Sequence, residues 1–421
     1  MDKLPDELLI HIFQYAMTYC VSGWDPYHQV LAQHNDLGLD LACADYPTVS
    51  ARWSICLVNR RWHMVSKPLL YIDIRLWESS PNLSLADRIG SLVSSNESNL
   101  AKIRWVTVAE YPSGKDSYLS KKAGAYLCHL LSQVTLQRFA TTFCPGYVPW
   151  LPLLAHISAH TLTHLVLELN PVHLAIETIE HLNALSNLVW LRILDENDYT
   201  FRGPPHPDSV ADLPSLELPK LQTLEAGFMS GDGPDQDLAH PEGSFSFWIA
   251  TWAVTPSLRT LRLYGDPLVS GLDLDMVLDI QGKHIRELHA DFPCKVDHVA
   301  EILHLAPVLT DLTCVAAYWQ NPSGLTLEHR KLQRLTLSSV GKGNLRAALR
   351  CIEPERFPEL EYIKIAGISW DSLDIEIGPS GQVIWSIDGA LEGAIQLAAK
   401  GVPVLDEHGR SFKGLISVRR R

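Results

Sequence analysis

Leu258-Arg259-Thr260-Leu261-Arg262-Leu263-Tyr264 sets three leucines at a spacing of three and then two, with polar or aromatic residues between them. The last residues alternate as a half-buried strand does, and the first Leu stands one turn ahead of them. The phrase recurs along the chain: Leu100-x-x-Ile103-x-Trp105, Leu136-x-x-Phe139, Leu162-x-x-Leu165-x-Leu167, Leu188-x-x-Leu191-x-Ile193 and Leu221-x-x-Leu224. After 258 it returns as Ile285-x-x-Leu288, Leu309-x-x-Leu312, Leu332-x-x-Leu335-x-Leu337 and Leu360-x-x-Ile363-x-Ile365. The intervals run from 23 residues, between 309 and 332, to 37, between 221 and 258. Helix-like apolar stripes lie between phrases: Val296, Val299, Ile302, Leu303 and Leu305; Phe245, Trp248, Ile249 and Trp252; Leu345, Ala348, Leu349 and Ile352. A strand, a loop, a helix and another strand form the unit, and each unit buries its apolar side only against its neighbours.

This organisation resembles a leucine-rich-repeat array, whose period is roughly 20–29 residues, lengthened here where loops intrude. The Asn of that repeat stands at position 170 but is replaced by Glu196, Asp266 and Val340 elsewhere, so the expected array is irregular. A generic α/β array is the alternative. In the repeat register, residues between the apolar anchors face the inner side of the sheet. These are Trp190 and Arg192, Thr223 and Glu225, Arg262 and Tyr264, Glu287 and His289, Asp311 and Thr313, Arg334 and Thr336, Tyr362 and Lys364. Trp, Tyr and Arg most often anchor interfaces. Trp190, Arg192, Arg262, Tyr264, Glu287 and His289 are therefore the expected target-binding residues, against the plainer expectation of a solvated sheet face. Two long acidic segments, 195–214 and 229–243, follow consecutive strand phrases and are expected to form a lip on one rim that favours a basic target.

Working toward the N-terminus, Pro5 suits a first helical turn, where its missing N–H is no loss. Asp6 and Glu7 follow at the positive end of the helix dipole. Leu8, Leu9, Ile12, Phe13 and Ala16 form one apolar stripe. A second helix is expected over 54–66, with Ile55, Val58, Trp62 and Val65 on one face, stopped by Pro68. Leu70, Ile72, Ile74 and Leu76 alternate like a strand.

Leu4-Pro5-Asp6-Glu7-Leu8-Leu9-x-x-Ile12-Phe13, then Leu57-Val58-Asn59-Arg60-Arg61-Trp62, then Pro68-Leu69-Leu70-Tyr71, resembles the F-box, in a wording similar to that of fungal F-box proteins. The resemblance implies a small helical module docking on a Skp-type adaptor and, through it, a cullin. It places the adaptor-binding role on Leu4, Pro5, Leu8, Ile12, Phe13, Leu57, Val58 and Trp62. One departure is the long stretch over 17–52, with Gly23, Pro26, Gly38, Pro47 and four Asp, read as an acidic insertion that leaves a middle helix near 27–34 in question.

The fold expected is thus α/β: an F-box over 1–75, a leucine-rich-repeat-like solenoid over 76–375, and a capping segment and tail over 376–421. A strand over 382–387 and a helix over 390–400 belong to that cap; 401–421 takes no assignment from the sequence. The function implied is substrate recognition for an SCF-type ubiquitin ligase, with a protein target the sequence does not name. An interaction scaffold outside any ligase is the alternative.

Composition agrees with a folded chain: 421 residues, 46% hydrophobic and 20% charged. The formal net charge of −13 argues against nucleic-acid and anionic-membrane partners, which need basic surface. No secretory signal or membrane-spanning run is read. Eight scattered Cys without a Cys-x-x-Cys pair suit a reduced cytoplasmic or nuclear setting. No cofactor, metal or catalytic constellation is expected. His156, His160 and His164 are spaced by four, but a helix-to-strand change near Thr161 would split their face. Gly341-Lys342-Gly343 lacks the further glycines and the Lys-Ser/Thr pair of a phosphate loop.

Overall fold

The structure is a computed structural model of the full chain. It describes residues 4–19, 57–77, 85–94, 97–109, 121–141, 150–169, 176–196, 215–229, 250, 253–264, 271–316, 319, 327–339, 344–370, 375–377, 383–385 and 390–411. Most of the acidic insertion, including the stretch near 27–34 where a middle helix is in question, nearly all of both acidic loops, Asn170, the stripe of Phe245, Trp248, Ile249 and Trp252, and Gly341-Lys342-Gly343 lie outside these residues. The chain forms two compact units, Met1–Val166 and Leu167–Arg421.

The first unit opens with helix α1, Asp6–Tyr19, and helix α2, Arg60–Ser66. Asn59 caps α2: its side chain accepts a 2.9 Å hydrogen bond from the Trp62 amide, satisfying a donor the helix cannot. A 3-10 turn, Lys67–Tyr71, with Pro68 in its first turn, leads into strand β1, Asp73–Trp77. The strand therefore starts later than the Leu70–Leu76 alternation suggests, and the boundary expected near residue 75 falls within it. Helices α3 (Leu85–Val93), α4 (Glu97–Leu100), α5 (Lys121–Leu131) and α6 (Leu151–Ile157) alternate with β2 (Trp105–Ala109), β3 (Arg138–Thr141) and β4 (His164–Leu169). The strands are parallel and pair in chain order.

One phrase needs a new register. In β2, Val106 and Val108 are buried while Trp105 takes the opposite side with Arg138 and His164. The repeat there is Ile103-x-x-Val106-x-Val108, and Leu100 instead closes α4, its carbonyl accepting from the Ile103 amide at 3.0 Å.

In the second unit, helix α7 (Ile176–Ala184) precedes β5 (Trp190–Glu196), β6 (Thr223–Met229) and β7 (Thr260–Tyr264). Then come α8 (Gly271–Gln281), β8 (Glu287–Cys294), α9 (Val296–Leu305), β9 (Asp311–Ala316), β10 (Arg334–Ser339), α10 (Asn344–Arg350) and β11 (Tyr362–Ile365). The helices over 296–305 and 344–350 carry the stripes read from the sequence. Strands β5 to β11 run parallel in chain order.

The phrase produces this order through two devices. Its first two apolar anchors are fully or nearly buried in every repeat of the unit, from Leu188 and Leu191 to Leu360 and Ile363. The carbonyl of the residue after the first anchor accepts two successive amides of the next strand. Gln222 O takes Arg259 and Thr260, both at 2.9 Å; Arg259 O takes Arg286 at 2.7 Å and Glu287 at 3.0 Å; Arg286 O takes Thr310 and Asp311. Loop length varies, but this join does not, so unequal repeats keep one register. An irregularity between Ala290 and Pro293 interrupts the β8–β9 ladder, where Pro293 has no amide to give.

The C-terminal part is more built than the sequence suggests. Strands β12 (Ile375–Ile377) and β13 (Val383–Trp385) form an antiparallel pair, and helix α11 spans Ala390–Ala399. A two-residue strand, β14 (Val404–Leu405), adds parallel to β11 and shields part of its edge. The turn beyond β14 is held by fully buried Asp406, which accepts from the amides of His408 at 3.0 Å and Arg410 at 2.8 Å and from the Arg410 guanidinium. Burial pushes this carboxyl up, but the donors of Arg410 and the Trp370 amide hold it below its ordinary range.

Candidate functional site

The expected adaptor-binding residues separate into a filled core and an open surface. Leu9, Phe13 and Leu69 are buried together, with Leu4, Trp62 and Val65 packed partly buried against them. The Phe13 and Trp62 rings lie 4.8 Å apart between centroids at 58°. Phe13, expected on the docking surface, is thus a core residue, and Trp62 is half drawn in with it; the helix crossing fills itself with the largest rings. Leu8, Ile12, Leu57 and Val58 stay outward at 45%, 42%, 78% and 56% exposure, joined by Met64, which the motif reading passed over. Pro5 is also exposed. Arg61 fixes this arrangement: its guanidinium grips Asp6 at 2.7 and 2.9 Å and donates to the Leu4 carbonyl, tying α2 to the start of α1.

On the sheet of the second unit, register places Trp190 beside Thr223, Arg192 beside Glu225, Glu225 beside Arg262, and Gly227 beside Tyr264. The side chains converge on one carboxylate. Glu225 accepts from the Trp190 indole at 3.1 Å, the Arg262 guanidinium at 2.9 Å and the Tyr264 hydroxyl at 3.3 Å. Arg192 lies 3.6 Å from Oε2, the oxygen that Tyr264 also reaches, and 5.3 Å from the centroid of the Tyr264 ring.

Glu225 and Arg192 are 0% and 1% exposed, so the expectation of Arg192 on an open face is corrected: it is an internal cation. Two charges can be buried here because each is the other's counter-ion and Glu225 gathers further donors. The accessible members of the group are Trp190, Arg262 and Tyr264, each partly exposed. Glu287 and His289 are next in register, beside Thr260 and Arg262, and Glu287 accepts from the Thr260 hydroxyl at 3.3 Å, but neither joins the Glu225 bonds. Further along, Asp311 and Arg334 pair across β9 and β10, with an N–O distance of 2.7 Å. Glu225 stands among the inner-face residues by sequence register, and nothing in its own position marks it as the hub. The signal was present as Arg, Glu, Arg at one level of three successive strands.

The first unit carries a related row, Asp73, Trp105, Arg138 and His164. Arg138 sits over the Trp105 ring at 4.4 Å, and burial together with the Arg138 charge holds His164 down at about 4. This imidazole is therefore neutral near pH 7. His156 lies in α6 and His160 in the turn after it, so the three histidines span a helix, a turn and a strand. Among the described residues no group of three His, Cys, Asp or Glu could hold a metal, and no helix is long and apolar enough to cross a membrane.

The fold and site define an α/β protein built on parallel strands and carrying a polar, aromatic-rimmed ion-pair cluster. Compared with protein-family models and with curated proteins, the chain matches none.

Proposed function

We propose that the chain is a non-catalytic receptor of an SCF-type ubiquitin ligase. Its F-box-like N-terminal helices dock on a Skp-type adaptor and thereby on a cullin, and its leucine-rich-repeat-like strands hold a protein target. The observation that carries this reading is Leu8, Ile12, Leu57, Val58 and Met64 exposed above a core that Leu9, Phe13 and Leu69 already fill. Apolar surface of this kind, left over after a module has packed itself, marks an interaction site. On the repeat sheet, Trp190, Arg262 and Tyr264 are the residue types that anchor interfaces, and the buried Arg192–Glu225 pair holds them in place. A receptor of this kind needs no catalytic group, because holding a target beside a conjugating enzyme raises its effective concentration.

Co-purification of the full chain with the adaptor tests the docking half. Leu8→Asp, Leu57→Asp and Val58→Asp together should abolish capture while leaving the melting temperature within about 2 °C of wild type, since exposed side chains contribute little to stability. Capture unchanged by these substitutions, or absent in the wild type, overturns the reading. A captured target whose lifetime does not depend on the receptor would favour a scaffold instead.

A further inference from the structure

At the edge where β6, β7 and β8 begin lies a pocket of about 300 Å³, lined chiefly by Gln222, Ser257, Leu258, Arg259, His284 and Arg286. Among the described residues its lining includes two arginines, a histidine, a glutamine and a serine, and no acidic residue. In a chain of net charge −13 such a patch runs against the background.

Repeat geometry explains the pairing of the arginines. Arg259 and Arg286 each follow the first anchor of their phrase, and the Arg286 amide donates to the Arg259 carbonyl at 2.7 Å. Neighbouring strands stand about 4.8 Å apart, so the two side chains leave the sheet edge from adjacent, equivalent points. Among the described residues neither guanidinium makes a hydrogen bond or an ion pair. The Ser257 hydroxyl is already engaged, donating to the Pro219 carbonyl at 2.7 Å, and so shapes the wall. His284 follows the turn at Gly282 that ends α8, its amide bonded to the Gln281 carbonyl at 3.2 Å.

Isolated surface arginines are solvated and need no ligand. Here two share one concavity with further donors and without a counter-ion among the described residues. Planar guanidinium groups present paired N–H donors that two oxygens of a tetrahedral phosphate can accept together, and two such groups balance a dianion.

We propose that this pocket binds a phosphate-type oxyanion, clamped between Arg259 and Arg286, with His284 and Gln222 as flanking donors. The proposal does not depend on the ligase reading, since its residues and its test are separate from the adaptor face.

Isothermal titration of the full chain at low ionic strength, with inorganic phosphate and with O-phosphoserine as probes, provides the test. Saturable one-site binding is expected, weakened at least tenfold in the Arg259→Ala/Arg286→Ala variant and unchanged in Arg330→Ala, an exposed cation outside the pocket lining. Tighter binding of O-phosphoserine would assign the site to a phosphate ester, and equal binding to the free anion. Equal affinity in the double variant, or no saturable binding of either probe to the wild type, overturns the proposal. All these substitutions are at exposed side chains, so a melting curve matching wild type excludes misfolding as the cause of a loss.

Discussion

Glu225 shows how far burial changes the weight of one ion pair. Its carboxylate receives Trp190, Arg262 and Tyr264 and neutralises the internal Arg192. Glu225→Ala removes the counter-ion of a cation that water cannot reach, and should cost about 3–5 kcal/mol. The pair between Arg334 and Asp311 is chemically similar, but the Arg334 side chain is 44% exposed. Arg334→Ala should cost under about 1 kcal/mol, because solvent screens the pair and competes for both partners. Urea unfolding midpoints of the two variants measure the contrast, and similar losses would mean that the Arg192–Glu225 geometry is wrong. Types and spacing placed Trp190, Arg192, Glu225, Arg262 and Tyr264 on one face without showing that they meet on Glu225. That two of them are sealed from water depends on the bulk of their neighbours, which alternation does not report.

At the scale of elements, α8 and α9 illustrate packing that the periodicity only outlined. The end of α8 passes so close to the end of α9 that a Cβ at Gly282 would press on the backbone carbonyl oxygens of Leu278 and Leu305. Gly282→Ala should therefore destabilise the protein by about 1–3 kcal/mol, despite the usual gain from replacing glycine, because backbone has to move. A thermal melt equal to wild type would contradict that contact. Between the same helices the Asp275 carboxyl is raised to about 6, by burial first, then by the charge and hydrogen bond of Glu301 and the charge of Asp279.

A carboxyl whose folded value exceeds its unfolded value of 3.8 binds its proton more tightly in the native state. Its favourable contribution is complete below about pH 4 and fades as pH rises through 6. Asp275→Asn, which mimics the protonated form, should be more stable than wild type at pH 7.5 and indistinguishable from it at pH 4. Chemical unfolding at the two pH values checks both the sign and the window. The stripe over 296–305 revealed α9 because its apolar residues recur every three or four positions. Gly282 offered no such signal, since its role is defined by Leu305, which follows it by more than twenty positions.

For the whole molecule, charge and apolar surface are distributed unequally. The leftover apolar set sits on α1, α2 and the residues just before α2, while the arginine-lined pocket sits at the start of β6 to β8. The two share no residues, and substitutions without shared partners act additively. The Leu8, Leu57 and Val58 triple variant should thus lose adaptor capture and keep phosphate binding, and Arg259→Ala/Arg286→Ala should do the converse. Measuring both activities on both variants gives four outcomes, and a variant that loses both would show the regions to be coupled.

What the amino-acid order determined by itself is the recurrence from Leu136 onward: which residues are the first two anchors of each phrase, and which stand side by side on the other face. Local periodicity encodes all of these, and the double-amide join preserves them across loops of unequal length. Tertiary structure alone decided the register of the first repeat, where Val106 replaced Trp105 on the buried side. It also decided the withdrawal of Phe13 into the N-terminal core, the sealing of Arg192 with Glu225, and the construction of the turn around Asp406. Each of those outcomes depends on how much space distant side chains leave, a property of the packed chain and not of any stretch within it.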